Sequence, residues 1–79
     1  RVVRKFGNDV QLIRARIPAS LEGKPISELD VHAKLKLIAV ERQGYSFVPK
    51  QNDFCEYNDI VHLSVSMDYL EQARDLLQL

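Results

Sequence analysis

The sequence predicts an α+β domain, with a four-stranded, mostly antiparallel sheet and two helices in the order β-α-β-β-β-α. Three stretches carry that prediction. Ile60 to Ser66 alternates, with Val61, Leu63 and Val65 facing one way and His62, Ser64 and Ser66 the other, which is the period of a half-buried strand. Gln43-Gly44 is a tight connection between the apolar run Leu37-Ile38-Ala39-Val40 and the β-favouring Tyr45-Ser46-Phe47-Val48, and so predicts a hairpin. Met67, Leu70, Ala73 and Leu77 form an apolar stripe at helical spacing after Ser66, a capping residue, with Asp68 near the positive end of that helix.

The other elements are read in chain order. Arg1 to Asn8 mixes charge with Gly7 and has no clean period, so residues 1–9 read as a linker or lead-in and residues 10–79 as the domain. Val10 to Ile17 reads as a strand, with Val10 and Leu12 on one face, Ile13, Ala15 and Ile17 on the other, and a bulge or change of face between them. Pro18 ends it, because proline has no N–H to donate to a ladder. Glu22-Gly23-Lys24 makes a turn, and Ser27-Glu28-Leu29-Asp30 has the form of a capping box with Asp in the acidic position. A helix is expected from Ser27 to about Lys36, with Ile26, Leu29 and Ala33 at helical spacing. Asn52-Asp53 and Asn58-Asp59 are turn formers before the last strand.

At 79 residues and 46% hydrophobic content, the chain holds one domain with a modest core, a situation that favours covering one face with a second copy. Eleven Lys and Arg balance eleven Asp and Glu, so no overall field draws nucleic acid or an acidic membrane surface. The single cysteine, Cys55, makes no internal disulfide, which points to a reducing, cytoplasmic setting. No apolar run approaches the ~20 residues that cross a bilayer. The chain opens on Arg1 rather than Met, the expectation for a piece of a longer protein.

Catalytic and metal chemistry find little footing. Isolated glycines at 7, 23 and 44 match neither the dinucleotide fingerprint nor the P-loop, and no zinc or EF-hand spacing occurs. His32 and His62 fall on different elements. Cys55 with either histidine contains the residue types of a thiol nucleophile and base, yet its place between Phe54 and Tyr57 before a strand favours a buried packing role. His62 lies in the polar phase of its strand, and Asp68, Glu71 and Asp75 lie on the outer side of the last helix, positions of ordinary solvated surface groups. No enzyme is expected.

One resemblance spans nearly the whole ordered chain, from Ile17 to Leu77. Gly23-Lys24-Pro25-Ile26-Ser27-Glu28-Leu29, then Leu37-Ile38-Ala39-Val40-Glu41-Arg42-Gln43-Gly44, then Pro49, then Asn58-Asp59-Ile60-Val61 stand in an order and spacing that resembles the RCK C-terminal (TrkA-C) domain. No single piece is specific; their succession is. Cys55 falls where that family places an aliphatic residue. Asn58 replaces the usual Gly, and Asn also visits positive φ. His32 stands where relatives that bind cyclic di-AMP carry an Arg, in a span that is shorter here.

The resemblance implies a dimerising regulatory domain on the cytoplasmic side of a membrane-embedded potassium transporter or channel subunit, acting in a ring whose states a ligand biases. The family's nucleotide-binding half lies outside this chain, so no cofactor is implied for this fragment. A small anionic effector is expected in the groove near the first helix and the second strand, contacted by His32, Lys34 and Lys36 over Leu37 and Ile38. The ordinary reading of Lys34 and Lys36 is that of solvated cations at a helix C-terminus. The rival readings are the same domain within a cation/proton antiporter or an anion exchanger, or a small enzyme using Cys55 or a histidine.

Overall fold

A computed structural model describes residues 1–79 and contains one sheet, one α-helix and three short 3-10 turns. The strands are β1 (Val2–Phe6), β2 (Val10–Arg16), β3 (Leu35–Arg42), β4 (Tyr45–Phe47) and β5 (Ile60–Ser66), and the helix is α1 (Leu70–Leu77). The sheet runs β1-β2-β5-β3-β4, antiparallel at every junction. The α+β class and the antiparallel sheet are therefore as expected, with five strands and one helix in place of four and two.

The additional strand is β1, from the stretch expected to be a lead-in. Val2, Val3 and Phe6 favour extended backbone, and Gly7 at φ +61° helps reverse the chain, so that Phe6 pairs with Val10 and Arg4 with Leu12. All five residues of β1 are exposed, and Arg4 and Lys5 give this edge the charge that discourages stray pairing.

The missing helix lies between β2 and β3. Ile26–Leu29 makes only a 3-10 turn, and Ser27 forms no side-chain cap. Asp30 is extended, and Val31 to Leu35 is a tight turn in which the Val31 carbonyl accepts from both Lys34 and Leu35. Leu35 and Leu37 are two residues apart and both buried, which demands a strand, while the β-branched Val31 resists a helix. Lys34 and Lys36 consequently have no helix end to sit at.

The remaining expectations hold in part. Gln43 and Gly44 both have positive φ, and the hairpin they close pairs Arg42 with Tyr45 and Val40 with Phe47. β2 alternates without a bulge, Gln11, Ile13 and Ala15 facing inward. Irregularities lie in β1, where the register shifts between Val2 and Arg4, and in β3, where Leu37 opposes Leu63 and Ala39 opposes His62, leaving Ile38 as the extra residue of a bulge. Ser66 precedes a 3-10 turn, Met67–Tyr69, before α1; its hydroxyl bonds the Asp68 carboxylate (2.7 Å) and caps no backbone N–H.

The core lies on one side of the sheet. Ile13 and Ala15 of β2, Val61, Leu63 and Val65 of β5, and Leu35, Leu37 and Val40 of β3 pack under Leu21, Ile26 and Leu29 of the β2–β3 crossover and Ala73 and Leu77 of α1. The other side of the sheet has no covering layer. Gln11 is the polar intruder, buried with an Oε1 that meets no donor.

Asp59 is the other buried polar residue, 1% exposed, and it is fully engaged. Arg42 Nε donates to its Oδ1 and Nη2 to its Oδ2, each at 2.8 Å, and the Glu56 N–H donates to Oδ2 at 2.9 Å. Nη2 also reaches the Phe54 carbonyl at 3.1 Å, Nη1 lies 2.8 Å from Glu56, and the guanidinium sits 5.0 Å from the Phe47 ring centre. Removing one partner of such a pair strands a buried charge. Asp59→Ala is expected to destabilise the domain by about 3 kcal/mol, measured as a shift of the urea unfolding midpoint. A loss equal to that of an exposed charge would show that the pair holds nothing.

Candidate functional site

The turn Val31 to Lys34 brings three of the expected ligand-binding residues to one groove. His32, Lys34 and Lys36 line a hollow of about 370 Å³ with Ser64 and Ser66 beside them; its accessible apolar side chains are Val10 and Val31, while Leu35 and Val65, also at its base, are buried in the core. Ala33 adopts φ +61°, an uncommon conformation for a residue with a Cβ, and the backbone N–H groups of His32 and Ala33 carry no hydrogen bond within the chain. Successive free amides next to a left-handed residue have the form of an anion-binding nest.

Leu37 and Ile38 lie elsewhere. Leu37 points into the core and lines a separate hollow with Ile26, Ser27, Asp30, Lys36, Pro49 and Gln51. Ile38, carried outward by the bulge, is 41% exposed and lines neither hollow. The apolar side chains within reach of the cations are Val10 of β2 and Val31 of the turn.

Both lysines already have carboxylate partners. Lys34 Nζ lies 2.6 Å from Asp68 Oδ2, and Lys36 Nζ lies 3.5 Å from Asp30 Oδ2. The Lys34 hydrogen bond, with that of Ser66 second, holds the Asp68 carboxyl below its ordinary range. An anion entering the groove therefore competes with Asp68 and Asp30 for the ammonium groups. The sequence showed the cations but not these partners, because Asp68 meets Lys34 only when β5 lies beside β3. Ser64 and Ser66 were legible as the polar phase of β5.

A second polar cluster lies on the uncovered side of the sheet. His62 Nε2 is 2.5 Å from Glu41 Oε2, and Arg14 Nε donates to the same oxygen at 3.2 Å. Three strands thus focus two basic groups on one carboxylate, and the His62 bond, then that of Arg14, lowers the Glu41 pKa.

Cys55 is 2% exposed, and burial, with the nearby Asp59 charge second, pushes its thiol up. Its backbone bonds Lys24 and Gly23, while His62 faces the uncovered side and His32 lies in the groove. No cluster of three or more His, Cys, Asp or Glu side chains is arranged to hold a metal ion. No helix is long and apolar enough to cross a membrane. Compared with known proteins, the chain matches no family model and no curated sequence.

These environments set two expected outcomes. In the folded protein Cys55 should react with a water-soluble disulfide reagent far more slowly than in urea; equal rates would contradict its burial. Glu41 and Asp68 have lowered pKa values, so their share of stability is present above the ordinary values of 4.5 and 3.8 and is lost as pH falls through the lower folded values. The stability gap between wild type and Glu41→Gln, measured by denaturant titration, should accordingly narrow as pH drops below 4.5. A gap that stays constant into acid would remove the electrostatic explanation.

Proposed function

We propose that this chain is a non-catalytic, self-associating regulatory module of a potassium-transport protein, of the RCK C-terminal type, whose groove at the start of β3 takes a small anion. The observation that carries the anion site is the convergence of His32, Lys34 and Lys36 with unbonded His32 and Ala33 amides over an apolar wall. Anionic ligands gain from both the ammonium groups and the amides, and a planar base or ring gains from Val10 and Val31.

The potassium-transport part rests on the resemblance. It is supported by the way two of the resembling segments meet, since Arg42 of Glu41-Arg42-Gln43-Gly44 grips Asp59 of Asn58-Asp59-Ile60-Val61. Asn58 also takes φ +68°, the conformation that a Gly at this position supplies without strain. The four strands of the proposed type correspond to β2, β3, β4 and β5, with β1 an addition at the edge. In this reading the module sits at the cytoplasmic face of the membrane, beside the transporter or channel subunit, and transmits which of two assembly states the ligand prefers.

Titration calorimetry against a panel of nucleotides that includes cyclic di-AMP tests the site. A bound nucleotide should lose roughly tenfold or more in affinity when His32→Ala and Lys36→Ala are combined. A nucleotide that binds both proteins equally well would place the ligand elsewhere.

A further inference from the structure

The charges of this neutral chain are segregated. Of its eleven Asp and Glu, Glu41 alone lies on a strand, whereas Arg4, Lys5, Arg14, Arg16, Lys36 and Arg42 all do; the other ten carboxylates sit in turns, the crossover and the C-terminal helix. Strand register then sorts the cations between the two sides of the sheet. Arg4 stands opposite Leu12 and Lys36 opposite Ser64, and Arg14 and Arg16 alternate with the buried Ile13 and Ala15. Four cations therefore share the uncovered side with Glu41, which gives a chain of zero net charge one basic face.

Two of the four have no carboxylate partner. Arg14 is taken by Glu41, and Lys36, part of the groove described above, by Asp30. Arg16 Nη1 instead donates to the Asn58 side-chain carbonyl at 2.8 Å, and the Arg4 guanidinium lies 5.3 Å from the Phe6 ring centre. Each of these two arginines has a half-buried apolar neighbour across the ladder, Leu12 beside Arg4 and Ile60 beside Arg16. Phe6, 48% exposed, is on the same side.

We propose that this face docks an acidic amphipathic helix of a partner protein. An uncovered sheet face is the ordinary seat of a helix, and guanidinium forks pair with carboxylates at two points. The positions of Arg4 and Arg16 set the pattern of the partner. Arg16 lies four residues along β2 from Leu12, the residue opposite Arg4, which separates the two backbone positions by about 13 Å. Carboxylates roughly two to three helical turns apart match that spacing, with apolar side chains between them against Leu12 and Ile60.

Other anionic occupants fit less well. Glu41 sets a negative charge within the face, which repels the continuous phosphates of a nucleic acid or a lipid surface, while a helix can place a neutral side chain there. The hollow at the β3–β4 hairpin on this side is lined by Glu41 and by no cation, so a free small anion has no seat in it. A second copy laid face to face brings like charges together.

This inference rests neither on the anion groove nor on self-association. Fluorescence anisotropy is measured with a labelled helical peptide carrying Glu at both ends of a Leu stripe and with a twin in which Lys replaces every Glu; phosphatidylglycerol vesicles and single-stranded DNA serve as competitors. The Glu peptide should bind and the Lys twin should not. Arg4→Gln and Arg16→Gln, singly and together, should weaken binding, the pair roughly tenfold or more, with circular dichroism confirming the fold; Arg74→Gln, on the covered side, should leave it unchanged. Equal binding of the twins, no binding of either, or an affinity that the paired change leaves intact or that Arg74→Gln lowers equally would overturn the proposal. Vesicles or DNA that bind more tightly than the Glu peptide would assign the face to phosphates instead. Sedimentation showing that the paired change dissociates a wild-type dimer would assign it to a second copy.

Discussion

Arg42 and Asp59 are 17 residues apart in the chain and share the most enclosed polar contact in the molecule. Asp59 receives both forks of the guanidinium and the Glu56 N–H, while its carbonyl takes the Ile17 N–H at 2.8 Å. One residue, through its carboxylate and its carbonyl, therefore ties the end of β3, the loop after β4, the start of β5 and the exit of β2. A buried ion pair gains over its desolvation only with such geometry, and here the oxygens are met by donors from two segments. From this knot the loop runs back as a makeshift ladder: Cys55 exchanges backbone bonds with Gly23 and Lys24, and Ile26 donates to Asp53. Cys55 is carried into the core by that pairing.

How far the sequence disclosed this arrangement depended on the range of the forces involved. β5 was legible because its period of two is a local property, and the β3–β4 hairpin because Gln43-Gly44 accepts the positive φ values that a two-residue connection needs. α1 was legible from Ala73 and Leu77, although Ser66 bonds Asp68 instead of capping. The helix expected after Ser27 was misleading for a physical reason. A capping box and one 3-10 turn look alike over four residues, and the path of the chain beyond Leu29 is decided by β5, which claims Leu35 and Leu37 for the sheet. β1 was hidden because an edge strand with both faces exposed has no need to alternate.

The candidate site shows the same division. Its cations are close together in sequence and were visible there, whereas the opposing carboxylates Asp68 and Asp30 emerge only from the fold. Those carboxylates engage the lysine ammonium groups, so an anion at the groove competes with them. The left-handed Ala33 contributes strain of about 1 kcal/mol, which contacts around the turn outweigh.

The crossover from Ile17 to Lys34 spans one face of the domain with two single 3-10 turns and no regular helix. Its grip on the molecule comes from four buried side chains, Ile17, Leu21, Ile26 and Leu29, and a few hydrogen bonds to the neighbouring loop. Lifting this strap would uncover the same core that the sheet buries, so the two are held as one packed unit. The strap ends at the turn where His32 stands, and that turn is therefore anchored to the core through Leu29.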